Sequence, residues 1–477
     1  MTNETWKSEA FDHSEFLTPP AWRKWLTYVT VATMPLSINY ERIAGPRKRP
    51  LYLSPLDFLL PVLALLMVLD LVQRKPWARF KVPHPATILW AGLAVVSFVW
   101  IIGGDEKFGE WFFAAMNPLF VVLLGAWVFS NIADDASEFR TLALILCGSF
   151  GLCVLYALYQ YLGPVGKPVD PKHLGEALGG VTNMRLGGWY DNRMLFGAQA
   201  AMLVPVAVAF AALDKDPLIK ALAGALTVLA LCVTMAAGSF LGAVAGILAV
   251  AAACVLAKKY VSGFALLTGV ILFAAVVLPN LPEKRGNVRT LERGLALWAK
   301  VGDDKKIATP RLRRYQAALG YLASSRDPMN EKTLPNWVLG AGAGRYNSEI
   351  NKFFDDAYYP RTNARTDEEA MFDIDANERD GFGLLEKTGV ELGALGLTTL
   401  AFFFSTWIFG AAGAFSRGGS SEFQTLALAA LGAGVGAMVV SVFAFPSQRG
   451  AGSGGTFAFF FALSAWSYCK SAGGFNK

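Results

Sequence analysis

A chain of 477 residues in which 54% are hydrophobic, only 17% are charged and 34 are Phe is too apolar for a soluble protein of that length. Its net charge of +6 is dispersed among the polar intervals with no Lys/Arg run longer than three, which argues against nucleic acid and leaves membrane topology and anion attraction as its uses. Three His and no Cys-x-x-Cys argue against zinc, and no metal or other cofactor is expected.

Residues 1–24 are polar, mixed in charge and without the apolar core of a secretory signal, so a cytoplasmic tail is expected there. Beyond it, twelve weakly charged apolar runs approach the ~20 residues that a helix needs to cross a bilayer. Alternating ten-residue segments, as in a β-barrel, are absent. The predicted fold is therefore an all-α polytopic membrane protein. The first run, 25–38, is short and carries Pro35; Trp22 and Trp25 suit an interfacial anchor. Arg42, Arg47, Lys48 and Arg49 then fall outside, against the positive-inside tendency, so an eleven-span arrangement stands as the alternative. The second run, 57–72, ends at the cytoplasmic marker Arg74-Lys75-Pro-Trp77-Ala-Arg79-Phe-Lys81, which sets the sides of all later runs.

Runs at 86–102, 111–129 and 141–162 lead to a first sizeable outer loop, which closes with Trp189-Tyr190-Asp191-Asn192-Arg193. Runs six to nine follow at 194–213, 218–237, 240–256 and 261–278, and Lys258-Lys259 again marks the cytoplasm. The membrane domain is thus expected over 25–278 and 383–469, with a large periplasmic loop at 279–382 and a cytoplasmic tail at 470–477. Runs ten to twelve are placed at 384–409, 423–445 and 456–468. Gly432, Gly434 and Gly436 lie inside an apolar run with no strand before them, so they suit close helix packing and not a nucleotide loop. The five cysteines lie in or at the ends of apolar runs and read as buried thiols.

The long polar interval is the candidate for chemistry. Residues 281–326 hold eleven Lys/Arg against four Asp/Glu, and 327–382 hold six against twelve. That layout suits docking of the two halves on each other, or a strongly anionic substrate beside the basic half. Pro310 after Thr309 predicts a helix start that places Arg311 and Arg314 in the first turns, with Tyr315, Leu319 and Leu322 as an apolar stripe. Such arginines suit phosphate; equally, the segment reads as an interfacial amphipathic helix contacting lipid headgroups. Gly340, Gly342 and Gly344 provide positions for positive φ and close backbone approach, the making of a tight turn or of a flexible one. Asp380, Glu386 and Glu391 sit at or within the membrane boundary, where carboxylates are costly and tend to be paired or functional.

Three dispersed segments resemble the signatures of the bacterial O-antigen ligase and polysaccharide polymerase superfamily of membrane glycosyltransferases. They are Arg185-Leu-Gly-Gly-Trp-Tyr-Asp191-Asn192-Arg193 through Pro205, then Arg311-x3-Tyr315-x2-Ala318 with Leu339-Gly-Ala-Gly-Ala-Gly344, and Glu391-Leu-Gly393-Ala-Leu-Gly396. The resemblance covers roughly 180–404. Where the ligases carry His-Asn this chain has Phe382-Gly383, and where they carry Ser-Arg it has Ser239-Phe240; both departures favour the polymerase branch.

The resemblance implies a donor glycan on a polyprenyl diphosphate, handled at the periplasmic face of the inner membrane without metal or nucleotide. Residue by residue it makes Arg311 the first candidate for diphosphate contact and Arg185 the second. Arg193, Arg314 and Arg345 are added from charge and position. With no histidine at the family position, Asp380 and then Glu386 are the candidates for general base, and Gly340, Gly342 and Gly344 shape the loop. The lipid bilayer and other polysaccharide assembly proteins are the remaining expected partners. Kept as alternatives are a ligase acting on a lipid or protein acceptor, a transporter of polysaccharide or lipid-linked sugar, and a purely structural assembly protein.

Overall fold

The computed structural model describes residues 21–36, 38–40, 51–53, 55–74, 83–97, 115–116, 118–133, 135–162, 193–234, 237–277, 315, 318–322, 336–344, 346, 383–443 and 453–472. Over these residues the chain is a helical membrane protein. In chain order it forms α1 (Ala21–Thr33), β1 (Ile38–Tyr40), β2 (Leu51–Leu53), α2 (Leu56–Arg74) and α3 (Pro85–Val96). A π-wound stretch, Pro118–Gly125, runs into α4 (Ala126–Ile132), and α5 (Ala136–Leu162), α6 (Arg193–Leu213), α7 (Pro217–Val233) and α8 (Ala237–Leu256) follow. After α9 (Tyr260–Leu272), with its π-wound continuation Phe273–Val277, come α10 (Asn336–Leu339), α11 (Leu384–Ser416), α12 (Ser421–Val440) and α13 (Ser453–Ser471).

Each of the twelve predicted runs holds a helix, and six helices among the described residues are long and apolar enough to cross a membrane. Helix is the form such runs take because lipid leaves no other partner for the backbone N–H and C=O groups. The helix starts are written locally. Asp216 accepts the Leu218 amide at 2.9 Å ahead of Pro217, and Ser420 Oγ accepts the Phe423 amide at 3.2 Å. The first run differs from expectation: α1 ends at Thr33, and Ile38 pairs antiparallel with Leu53. Within the helical fold, the short segments Ile38–Tyr40 and Leu51–Leu53 satisfy each other's backbone as a single two-stranded pair among the described residues.

Packing is closest where α6, α8 and α12 meet. A Cβ on Gly436 would stand 2.0 Å from the Ala201 carbonyl oxygen, and one on Gly246 would meet Pro205 at 2.3 Å and the Gly432 carbonyl at 2.7 Å. Small residues here let backbones touch, which replaces the hydrophobic driving force that lipid does not supply. Gly434 lies under Trp407 of α11, whose Nε1–H donates to the Ala430 carbonyl at 2.9 Å. Phe403 and Phe461 stack at 4.2 Å beside it, joining α11 to α13. At the edge, α9 leaves Val261, Phe264 and Ile271 exposed, as a lipid-facing helix does.

The end of the bundle where α12 begins is tied by charge. Arg140 Nε and Nη2 each donate to Asp214 at 2.9 Å, and Lys215 reaches Glu422 at 2.7 Å. Burial alone would raise the Asp214 carboxyl, but the Arg140 hydrogen bonds, the Asp216 amide and the charges of Arg140 and Lys215 outweigh it and hold it below the usual aspartate value.

Candidate functional site

The opposite end of α12 is where the described residues between 315 and 346 meet the bundle. The organising feature is a break in α11. Gly393 has φ 63° and ψ −155° inside an otherwise helical run, a region open in practice only to glycine. A break of this kind releases carbonyls of the preceding turn from the helical ladder. Those of Val390 and Glu391 accept the amides of Ala341 and Gly342, both at 2.8 Å.

The donor of those bonds is the glycine turn. Gly340, Gly342 and Gly344 all have positive φ, at 70°, 97° and 84°, so the chain turns where side chains would be strained. Contact between turn and break is reciprocal. A Cβ on Gly340 would lie 2.5 Å from the Glu391 carbonyl carbon, and one on Gly393 would lie 2.5 Å from that of Val338. Two more amides complete the docking: Ala343 donates to Ser97 Oγ at 3.0 Å, and Gly344 to Glu391 Oε1 at 3.0 Å. All four amides from 341 to 344 thus bond to protein groups.

A second layer covers this crossing. Ala318 and Tyr321 of the basic half are buried with Ala341, Tyr346 and Val390, and Leu322 packs against them. Tyr315 Oη donates to the Val442 carbonyl at 2.5 Å, at the end of α12. The Leu385 amide donates to the Ser441 carbonyl at 3.2 Å, and a Cβ on Gly383 would lie 2.6 Å from Val442 O, so the start of α11 is pressed onto the same end. The apolar stripe predicted through Leu319 is corrected: Leu319 is 64% exposed, and the buried face runs through Ala318 and Tyr321 instead. At 100° per residue Leu319 stands to one side of the Tyr315, Ala318 and Leu322 direction, while Tyr321 stands to the other, toward the turn.

Two buried carboxylates face this layer from α11. Glu386 is 4% exposed and its Oε1 accepts the Tyr346 hydroxyl; Glu391 is 6% exposed and lies 3.9 Å from Lys387 Nζ as well as against Gly344. The Tyr346 hydroxyl and the Gly344 amide give these buried polar groups the hydrogen-bond partners that burial requires. A carboxylate in this setting can take up a proton, hold a donor in place, or both.

Of the residues singled out from the sequence, Glu386, Glu391, Gly340, Gly342 and Gly344 are brought together here. The main chain of Arg193 opens α6, which runs antiparallel to α12 and so begins at this same end. Arg311, Arg314, Arg185, Arg345 and Asp380 lie outside the described residues. Sequence reasoning did not single out Ser97, Lys387 or Tyr346 as part of the site. Tyr346 alone carried a signal, its place two residues after the last glycine of the turn. Among the described residues no cluster of His, Cys, Asp and Glu could hold a metal ion. No protein-family model matches the sequence, and comparison with curated proteins finds no match.

Proposed function

We propose that the protein is a metal-independent glycosyltransferase of the O-antigen ligase and polysaccharide polymerase type. It joins polyprenyl-diphosphate-linked oligosaccharide units at the periplasmic face of a bacterial inner membrane. In this reading it has twelve spans, cytoplasmic termini and a periplasmic 279–382 segment, and works beside other polysaccharide assembly proteins. One observation carries it. Residues picked for their likeness to family signatures, Ala318 and the Gly340–Gly344 turn on one side and Glu391 and Gly393 on the other, meet in one layer although the sequence separates them. Their meeting point lies at a helix end, where a lipid-borne diphosphate would present itself to a bundle.

The chemistry needs an acceptor hydroxyl to attack the anomeric carbon of the donor while the bond from that carbon to the diphosphate oxygen breaks. The acceptor proton passes to a base, and the polyprenyl diphosphate departs with the bonding pair. Positively charged groups lower the barrier by neutralising the leaving diphosphate. Arg311 and Arg185 are assigned that role first, with Arg193, Arg314 and Arg345 in support. Asp380 and Glu386 are the candidates to take the proton. Glu386 is supported by its burial beside the turn and by the Tyr346 hydroxyl, which fixes the carboxylate's orientation.

The broken α11 also favours a second reading, since transporters build ion and substrate sites from discontinuous helices. Against it, the Val390 and Glu391 carbonyls at this break are already occupied by turn amides. Purified protein given polyprenyl-diphosphate oligosaccharide, without metal or ATP, separates the readings. Longer lipid-linked chains mean a polymerase, transfer to another acceptor means a ligase, and substrate moved across a vesicle without elongation means a transporter. Arg311→Ala is expected to abolish elongation; full activity in that variant would remove Arg311 from the site.

A further inference from the structure

We propose that Glu391 is a positioning residue that holds the glycine turn through the Gly344 amide, and that its task needs a hydrogen-bond acceptor rather than a base. The proposal rests on the glycosyltransferase reading for its kinetic consequence, but its structural part stands alone.

Glu391 binds the turn twice. Its carbonyl oxygen accepts the Gly342 amide at 2.8 Å and its Oε1 accepts the Gly344 amide at 3.0 Å. The other two amides of the turn are taken by Val390 O and Ser97 Oγ, so only the Gly344 bond depends on an ionisable side chain. The backbone leaves that side chain little choice of place. The Gly340 and Gly393 main chains cross with no room for a Cβ on either, which sets the height of the turn over the break. Two residues beyond Gly344, the Tyr346 hydroxyl is anchored on Glu386. Gly344 and Tyr346 are thus both bonded to α11 carboxylates, one through its amide and the other through its hydroxyl. Lys387 Nζ stands 3.9 Å from Glu391 Oε1, one turn earlier in the same helix.

An acceptor role and a base role order the conservative variants oppositely. Glu391→Gln keeps the length of the side chain and an amide oxygen that can accept from Gly344, but cannot take a proton. Glu391→Asp keeps the carboxylate but withdraws it by one methylene, beyond reach of the amide. In the full-length protein, hydrogen exchange of the 341–344 amides reports the clamp without any substrate. Turnover of polyprenyl-diphosphate oligosaccharide across a range of pH reports its consequence.

The expected result is that E391Q keeps wild-type amide protection, an unaltered pH profile and kcat/KM within about tenfold. E391D and E391A should lose protection at Gly344 and fall by about 10²-fold in kcat/KM, the scale on which a misplaced group costs rate. The proposal is overturned if E391D outperforms E391Q, or if E391D and E391A leave protection at wild-type level. Should E391A fail to fold, the Gln and Asp pair alone decides. A wild-type protein that turns over no such substrate would refute the glycosyltransferase reading, and the exchange comparison would still decide the clamp.

Discussion

Replacing Gly393 by Ala tests whether the crossing of turn and break is what joins the glycine turn to the bundle. Two costs follow from the geometry. The backbone at φ 63° and ψ −155° is strained for any residue with a Cβ, at about 1–3 kcal/mol. The new methyl would stand 2.5 Å from Val338 C and O and 2.6 Å from the Gly340 amide nitrogen, all backbone atoms that cannot swing aside. Relief requires the turn to lift, which gives up the Ala341 and Gly342 bonds to α11 at about 0.5–1.5 kcal/mol each. The sum, about 2–6 kcal/mol, falls on the clamp and not on the remote α6, α8 and α12 packing. Amide exchange at 341 and 342 should therefore accelerate by at least about 30-fold, as ~2 kcal/mol requires at about 1.4 kcal/mol per tenfold. Exchange in α12 should stay as in the wild type. Unchanged protection at 341 and 342 in a folded Gly393→Ala protein would refute the account of the break.

Gly436→Ala should prevent close approach of α6 and α12, because its methyl would lie 2.0 Å from the Ala201 carbonyl oxygen; loss of a monodisperse folded species in detergent is the measurement. Asp214→Asn breaks the buried pair with Arg140 and should cost about 3–5 kcal/mol in a denaturant titration. The wild-type Asp214 carboxyl is held below its unfolded value of about 3.9, so its contribution is present above that pH and lost as pH falls through the lower folded value. The Asp214→Asn variant should lack this part of the acid dependence, and an acid profile identical to the wild type's would count against the pair. Tyr346→Phe removes the hydroxyl that Glu386 accepts and should destabilise the covering layer by about 1.5–3 kcal/mol, read as faster exchange around Ala318 and Tyr321.

The sequence by itself determined where helices form. Runs without charge have no partner for their backbone in lipid except themselves, so their length and position set the helices, and Asp216-Pro217 and Ser420 mark starts by local capping. It also marked Gly432, Gly434 and Gly436 for packing, because they lie inside an apolar run with no strand before them. The special glycine of α11 was not legible. Gly393 and Gly396 stand in the same helix three residues apart, yet only Gly393 leaves the helical region. What distinguishes them is contact with Gly340, a partner no local window contains. The roles of the carboxylates were hidden for the same reason. Glu386 and Glu391 read as boundary charges until Tyr346 and Gly344, 40 and 47 residues earlier, are brought against them, and Ser97 joins the turn from 246 residues away. Periodicity named the wrong side of the basic segment at Leu319 because the buried direction depends on what lies over it. Apolar run length is a property of the chain in its solvent, while the choice of which backbone group fills a broken helix is settled only when distant segments compete for the same carbonyls.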